Sequence, residues 1–148
     1  MKLQSMVAAG LFTMMASTSL LAAEHVVEMK NSGADGIMVF EPGFIQAEKG
    51  DTVKFVLVDQ AHNSVSQLVP AGAESWSGGI NEEITITLNA EGVYVYNCTP
   101  HAPLNMAGVI QVGEAVNYDE AKAAVDKLTA SAATNKDRLT GYFSKVSQ

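Results

Sequence analysis

The chain has 148 residues, enough for one ordinary domain with its own hydrophobic core. Its formal net charge is −7 and only 7% of its residues are aromatic, which argues against nucleic acid as a partner, because nucleic-acid binders carry a basic stripe. A single cysteine excludes an internal disulfide and leaves one thiol to be explained, either as a buried small hydrophobe or as a masked metal ligand.

Met1 and Lys2 form a short basic start, and Val7 to Leu21 is mostly apolar with small residues interspersed. Leu21-Ala-Ala23 ends in the small residue that a signal peptidase prefers. We therefore expect residues 1–23 to be a secretory signal, removed before Glu24 to within about a residue or two. A membrane anchor would need roughly 20 strongly apolar residues, which this stretch lacks, and no later segment reads as membrane-spanning. Residues 24–148 are then one exported, soluble domain, made more acidic by the loss of Lys2.

Within that domain, strands are predicted at His25–Met29, Ile37–Phe40, Phe44–Glu48, Thr52–Val58, Glu83–Leu88, Val93–Asn97 and Gly108–Val112. Thr52–Val58 and Ile84–Leu88 show the alternation and β-branched content of half-buried strands. Gly33-Ala-Asp-Gly36, Lys49-Gly-Asp51, Gly78-Gly79 and Glu91-Gly92 punctuate them as turns. An antiparallel sandwich over about 24–113 follows. A helical tail over about 117–147 comes next. Its first helix, Asn117–Leu128, aligns Ala121, Ala124, Val125 and Leu128, with acidic residues at its start and Lys127 near its end, as the helix dipole favours. The second, from about Asn135 to Val146, aligns Leu139, Tyr142, Phe143 and Val146. Both should fold back to cover the sheet.

The stretch Cys98-Thr-Pro-His101-Ala-Pro-Leu-Asn-Met106 gathers three soft or borderline donors on one short loop between two predicted strands. A thiolate and an imidazole with a weak thioether suit copper, and a second histidine would complete a blue-copper electron-transfer site. His62, after the strand ending at Val58, is available to supply it. Pro100 and Pro103 stiffen the loop by fixing φ and removing two N–H donors.

Gly50-Asp-Thr-Val-Lys-Phe55, His62-Asn63, Cys98-Thr-Pro-His101 and Met106 together resemble the small blue-copper proteins of the cupredoxin family. Met38-Val-Phe-Glu-Pro42, Pro70-Ala-Gly-Ala-Glu74, Ile80-Asn-Glu82 and the two-helix tail are similar to its pseudoazurin subgroup, and the likeness covers nearly all of residues 24–148. It implies an all-β Greek-key sandwich with two C-terminal α-helices packed against it. It also implies one copper ion, cycling between Cu(I) and Cu(II), with His62, Cys98 and His101 as equatorial ligands and Met106 as the axial one. Both histidines would bind through Nδ1. Asn63 would donate its backbone N–H to the cysteine sulfur while its side chain ties the two ligand loops together. Met38 would pack near the His101 ring, or simply fill core. Pro100, two residues after Cys98, withholds an N–H from the sulfur.

The same resemblance implies a periplasmic, monomeric electron carrier of a bacterial respiratory chain, without enzymatic activity. It would dock transiently at the His101 edge, through Ala102, Pro103 and Leu104, with a reductase such as a denitrification nitrite reductase and a cytochrome-type donor. Lysines that surround the copper face in this subgroup are replaced by Ser32, Gln60, Ser75, Ser77 and Asn97, so docking is expected to use Trp76 and the apolar loop with weak electrostatic steering. The competing reading is a copper chaperone or storage protein, which would use an exposed, readily exchanging site. A catalytic oxidase would need further copper sites, and three histidines cannot build them. Tyr94 is either a tyrosine corner of the Greek-key kind or an ordinary core residue. His25 is either an ordinary exposed side chain or, beside a free amine, an adventitious copper chelator.

Overall fold

The computed structural model describes residues 21–148. The expected signal, apart from Leu21-Ala-Ala23, lies outside the described residues. Eight strands follow in order: β1 (Glu24–Gly33), β2 (Gly36–Glu41), β3 (Phe44–Ala47), β4 (Thr52–Leu57), β5 (Val65–Leu68), β6 (Ile84–Thr87), β7 (Gly92–Asn97) and β8 (Ala107–Val112). Helices α1 (Tyr118–Ser131) and α2 (Lys136–Phe143) close the chain. No helix among the described residues is long and apolar enough to cross a membrane.

The strands form two four-stranded sheets, ordered β2-β1-β4-β6 and β3-β8-β7-β5. The expectation of an antiparallel sandwich needs one correction. β1 with β4 and β3 with β8 pair in parallel, because each partner is reached by a connection that crosses from one sheet to the other rather than by a hairpin. Strand β5 was missed by sequence reading. A register shift between Ser66 and Leu68 breaks its alternation, so Val65 and Leu68 do not show the period of two.

Two apolar layers result. Between the sheets lie Val27, Met29, Phe40, Val53, Phe55, Tyr94, Tyr96, Ile110 and Val112, joined by Cys98 and Met106. On the outer face of the second sheet, Val93, Val95, Ala107 and Val109 pack against Ala121, Val125, Leu139, Tyr142 and Phe143 of the helices. Alternate residues of β7 thus serve both layers, as the pleat requires. Gly108 pairs directly with Tyr96, whose hydroxyl would lie 2.3 Å from a Cβ placed there, so only glycine lets this ring lie across β8.

The tail behaves largely as its periodicity predicts. Helix α1 runs three residues past Leu128, to Ser131, which leaves Lys127 a turn short of the end and no basic residue in the last turn. Helix α2 stops at Phe143, and Val146 packs on the outer layer from beyond the helix. The tyrosine corner is present: the Tyr94 hydroxyl donates to Ala90 O at 2.6 Å and accepts from Ala90 N at 3.2 Å. His25 is not a free surface side chain, because its Nε2 lies 2.8 Å from Asp51 Oδ2 and ties β1 to the turn before β4.

Candidate metal centre

Cys98 follows β7 directly and continues the inward parity of Tyr94 and Tyr96, so it is carried into the inter-sheet core, where it is fully buried. Its backbone N–H donates to Met106 O at 2.9 Å, which extends the β7–β8 ladder by one rung. Residues 99–105 therefore form a loop closed at its base by backbone pairing. A turn of 3-10 helix over Ala102–Leu104 and a left-handed Asn105 (φ 55°) reverse the chain between His101 and Met106. Met106 is itself fully buried.

His62 lies on the loop that crosses from β4 of the first sheet to β5 of the second, three residues before β5. Asn81 holds this loop at two points: it accepts from Ala61 N through Oδ1 at 2.6 Å and donates its own N–H to His62 O at 2.8 Å. The three expected equatorial donors meet through the atoms anticipated. His62 Nδ1 and His101 Nδ1 lie 3.1 Å apart, and Cys98 Sγ lies 3.8 and 3.5 Å from them, respectively. A circle through these three atoms has a radius of about 2.0 Å, close to the bond length a borderline metal ion makes to nitrogen, about 2.0–2.1 Å, and slightly under that to sulfur, about 2.3 Å. Among the described residues this is the one group of His, Cys and carboxylate side chains so placed. One cysteine sulfur and two imidazole nitrogens, without carboxylate, match copper rather than magnesium or calcium.

The electrostatics agree. Burial, and then the neighbouring His101, hold His62 below its ordinary pKa, with Asp59 opposing weakly, so a neutral ligand imidazole is available. For Cys98 burial pushes the thiol up, and the backbone N–H groups of Asn63 and His101 pull it back down in part. A bound cation would supply the charge that makes the thiolate the stable form.

Side chains around the ligands fall into place unevenly. Asn63 ties the loops as expected: its Oδ1 accepts from Thr99 N at 2.8 Å, and its Nδ2 donates to Thr99 Oγ1 at 2.9 Å and to Gly78 O at 3.1 Å. Asn31, Asn81 and Thr99 were not found by sequence reading. With Nδ1 turned to the metal position, His62 Nε2–H donates to Asn31 Oδ1 at 3.0 Å, and this contact orients the ring as outer partners of ligand histidines do. A lone Asn two residues past the predicted strand His25–Met29, and inside β1 as observed, carries no sequence signal of that role. Met38, with a left-handed backbone (φ 50°), packs against the inter-sheet core.

The expected docking residues separate. His101, Ala102 and Leu104 are half-buried and Pro103 is exposed, while Pro100 is exposed beside them. Trp76 is different. Its indole N–H donates to Ser64 Oγ at 3.0 Å, and its ring lies 6.1 Å from those of Phe55 and Tyr96. It forms part of the core wall and leaves only part of its surface to solvent. Ser32, Gln60, Ser75 and Ser77 are exposed as anticipated, whereas Asn97 is buried and accepts from Gln67 Nε2 at 2.9 Å. Asn97 belongs to the β5–β7 pairing, not to the surface.

Known proteins agree with this centre. A family described as copper binding proteins of the plastocyanin/azurin family matches residues 27–113. A pseudoazurin of Paracoccus pantotrophus is 46% identical over 106 residues, covering 70% of this chain and 73% of the relative. A pseudoazurin of Methylorubrum extorquens is 33% identical over 149 residues, covering 97% of each. The crystal structure of native pseudoazurin from Hyphomicrobium denitrificans superposes with a TM-score of 0.74 at 41% identity, covering 84% of this chain and 99% of that one. The chain belongs to the plastocyanin/azurin family of copper-binding proteins and, within it, to the pseudoazurins.

Proposed function

We propose that this chain is a periplasmic electron carrier with one type 1 copper ion, which His62 Nδ1, Cys98 Sγ, His101 Nδ1 and the Met106 thioether would hold. The observation that carries this reading is the triangle of donors 3.1, 3.5 and 3.8 Å on a side, already assembled by the fold. Bound copper supplies a one-electron Cu(II)/Cu(I) couple, balanced by a soft thiolate and two borderline imidazoles. The chain's own residues do the rest. Backbone pairing of Cys98 with Met106, and the Asn63 bridge to Thr99, hold the donors in one arrangement for both oxidation states, which keeps rearrangement small at each transfer. Full burial of His62, Cys98 and Met106 excludes water from three of the four donors. His101 alone is half-exposed, and its ring edge is the short route for an electron to the surface.

Docking falls to the apolar rim of Ala102, Pro103 and Leu104, with the exposed part of Trp76 as a lesser contributor. A small apolar contact permits fast release. The partners would be a reductase acceptor, such as a nitrite reductase of denitrification, and a cytochrome-type donor. With Ser32, Gln60, Ser75 and Ser77 in place of a cationic ring, steering is weak, and association rates should change little with salt. A steep fall with rising salt would refute this docking account. The mature domain is taken to begin near Glu24 after removal of a signal and to work as a monomer, without catalysis of its own.

The primary test is the visible spectrum of the Cu(II)-loaded mature protein beside Cys98→Ser. We expect an intense thiolate-to-copper band, bleached by reductant and abolished in the variant. A colourless protein that binds copper tightly would replace electron transfer with copper transport or storage.

A further inference from the structure

The helical tail does more than cover β7 and β8. Covering requires only its apolar face, Ala121, Val125, Leu139, Tyr142 and Phe143. Its connecting segment between α1 and α2 is bonded instead to the loop that joins His101 to Met106. Within that loop, the carbonyls of His101 and Ala102 accept from Leu104 N and Asn105 N. The next two carbonyls point to the tail. Pro103 O accepts from Ala133 N at 2.8 Å and Thr134 N at 3.3 Å, and Leu104 O accepts from Asn135 Nδ2 at 3.0 Å and Arg138 Nη1 at 3.3 Å. Asn105 returns the contact, donating its Nδ2 to Asn135 O at 2.9 Å.

The side chains of Asn105 and Asn135 thus bridge the two segments, to Asn135 O and Leu104 O, and both residues are left-handed, with φ of 55° and 54°. Asparagine is among the few residues other than glycine that accept this conformation while still offering a donor. Arg138 extends the bridge across the end of the sandwich. Besides Leu104 O, its guanidinium donates to Met38 O and Ile37 O, each at 2.9 Å, and to Asp35 O at 3.2 Å. One side chain of α2 therefore joins the ligand loop to the start of β2. Met106, by contrast, is held weakly on its own N-terminal side, where its N–H reaches His101 O at 3.3 Å.

We propose that the α1–α2 connection, through Asn135 and Arg138, is a clasp that positions the Met106 side of the copper site. Both are positioning residues acting through the 102–105 loop. The proposal rests on Met106 as the axial ligand. Releasing the clasp leaves Cys98 and His62 in place, since their holding bonds lie elsewhere, and lets the loop after His101 carry Met106 relative to them. The axial ligand is one determinant of potential in such sites.

The test uses Asn105→Gly, Asn135→Gly and Arg138→Ala. The two glycines keep the left-handed backbone and remove only the amide bonds. Val125→Ala, buried under the sheet and remote from the clasp bonds, is the control for general loosening. In the metal-free full domain, exchange of the backbone amides at positions 105 and 106 should quicken in the three clasp variants and not in Val125→Ala. In the Cu(II) forms, the relative intensities of the visible bands and the reduction potential should shift in the clasp variants. Val125→Ala should lower the Tm and leave both unchanged. Quickened exchange with native band ratio and potential would overturn the positioning role. Shifts equalled by Val125→Ala would also overturn it. A wild-type protein without an intense visible band would sink the copper assignment itself, while the exchange data would still report whether the clasp exists.

Discussion

The two sheets hold the centre in different ways. In β1 and β4 burial alternates along the strand, and Val26 is 47% exposed, because only one face of that sheet is covered. In β7 and β8 every residue is buried, because the second sheet has the core on one face and the helices on the other. The loop carrying Cys98, His101 and Met106 springs from this doubly covered pair and is fixed at its base by main-chain bonds. His62 lies on the loop that crosses between the sheets, and three asparagines fix it: Asn81 through its N–H to His62 O and its Oδ1 from Ala61 N, Asn31 on the ring, and Asn63 across to Thr99. A strand pair shielded on both faces fixes the base of its ligand loop through backbone, while the tip of that loop takes side-chain bonds from the tail. A ligand carried on a loop between the sheets needs polar side chains, each with its hydrogen bonds satisfied.

The comparison breaks most sharply under core truncation. Leu139→Ala, at a fully buried position over the second sheet, should cost about 2–5 kcal/mol. Val26→Ala, on the uncovered face of the first, should stay within about 0.5 kcal/mol. Urea denaturation of the metal-free protein checks both, and equal losses would erase the distinction between the sheets. Asn63→Ala comes next. It leaves Thr99 N without its partner and unlinks the two ligand loops, for a loss of about 1–3 kcal/mol, read in the same titration and accompanied by faster copper loss to a chelator.

Asp51 sharpens the picture of the first sheet, where polar bonds replace a second covering layer. In a chain that retains Ala23, Glu48 N–H, then His25, then Ala23 N–H hold its carboxyl down at about 2. Because the folded value lies below the roughly 3.9 of an unfolded aspartate, this contribution is present above about pH 4 and lost as pH falls through about 2. In acid titrations of metal-free protein, Asp51→Asn should be less stable than wild type at neutral pH and converge with it in acid. A constant gap would remove Asp51 from the account. The smallest effect concerns the ligand loop. Pro100→Ala restores an N–H near the Cys98 sulfur, where a new bond would withdraw charge from the thiolate and raise the reduction potential. A lower potential with the visible band intact would contradict it.

Local order in the chain carried much of this. Cys98, His101 and Met106 lie within nine consecutive residues, so their convergence follows from one loop between two strands, and the apolar spacing of α1 and α2 names the faces they bury. Alternation in β4 and β6 was visible for the same reason: side-chain period encodes which face is covered. Pairing is another matter. That β1 meets β4 in parallel, or that β5 exists at all despite its bulge, depends on where distant strands come to rest. Polar residues are the least legible, since an asparagine reads alike in sequence whether solvated or bonded. Asn97 reads as surface and is buried, Asn31 gives no sign that it orients His62, and nothing in the sequence marks the Trp76 indole bond to Ser64. Donor identity and spacing named the metal; tertiary closure, by deciding which polar atoms lose water and must find partners, decided how the site is held.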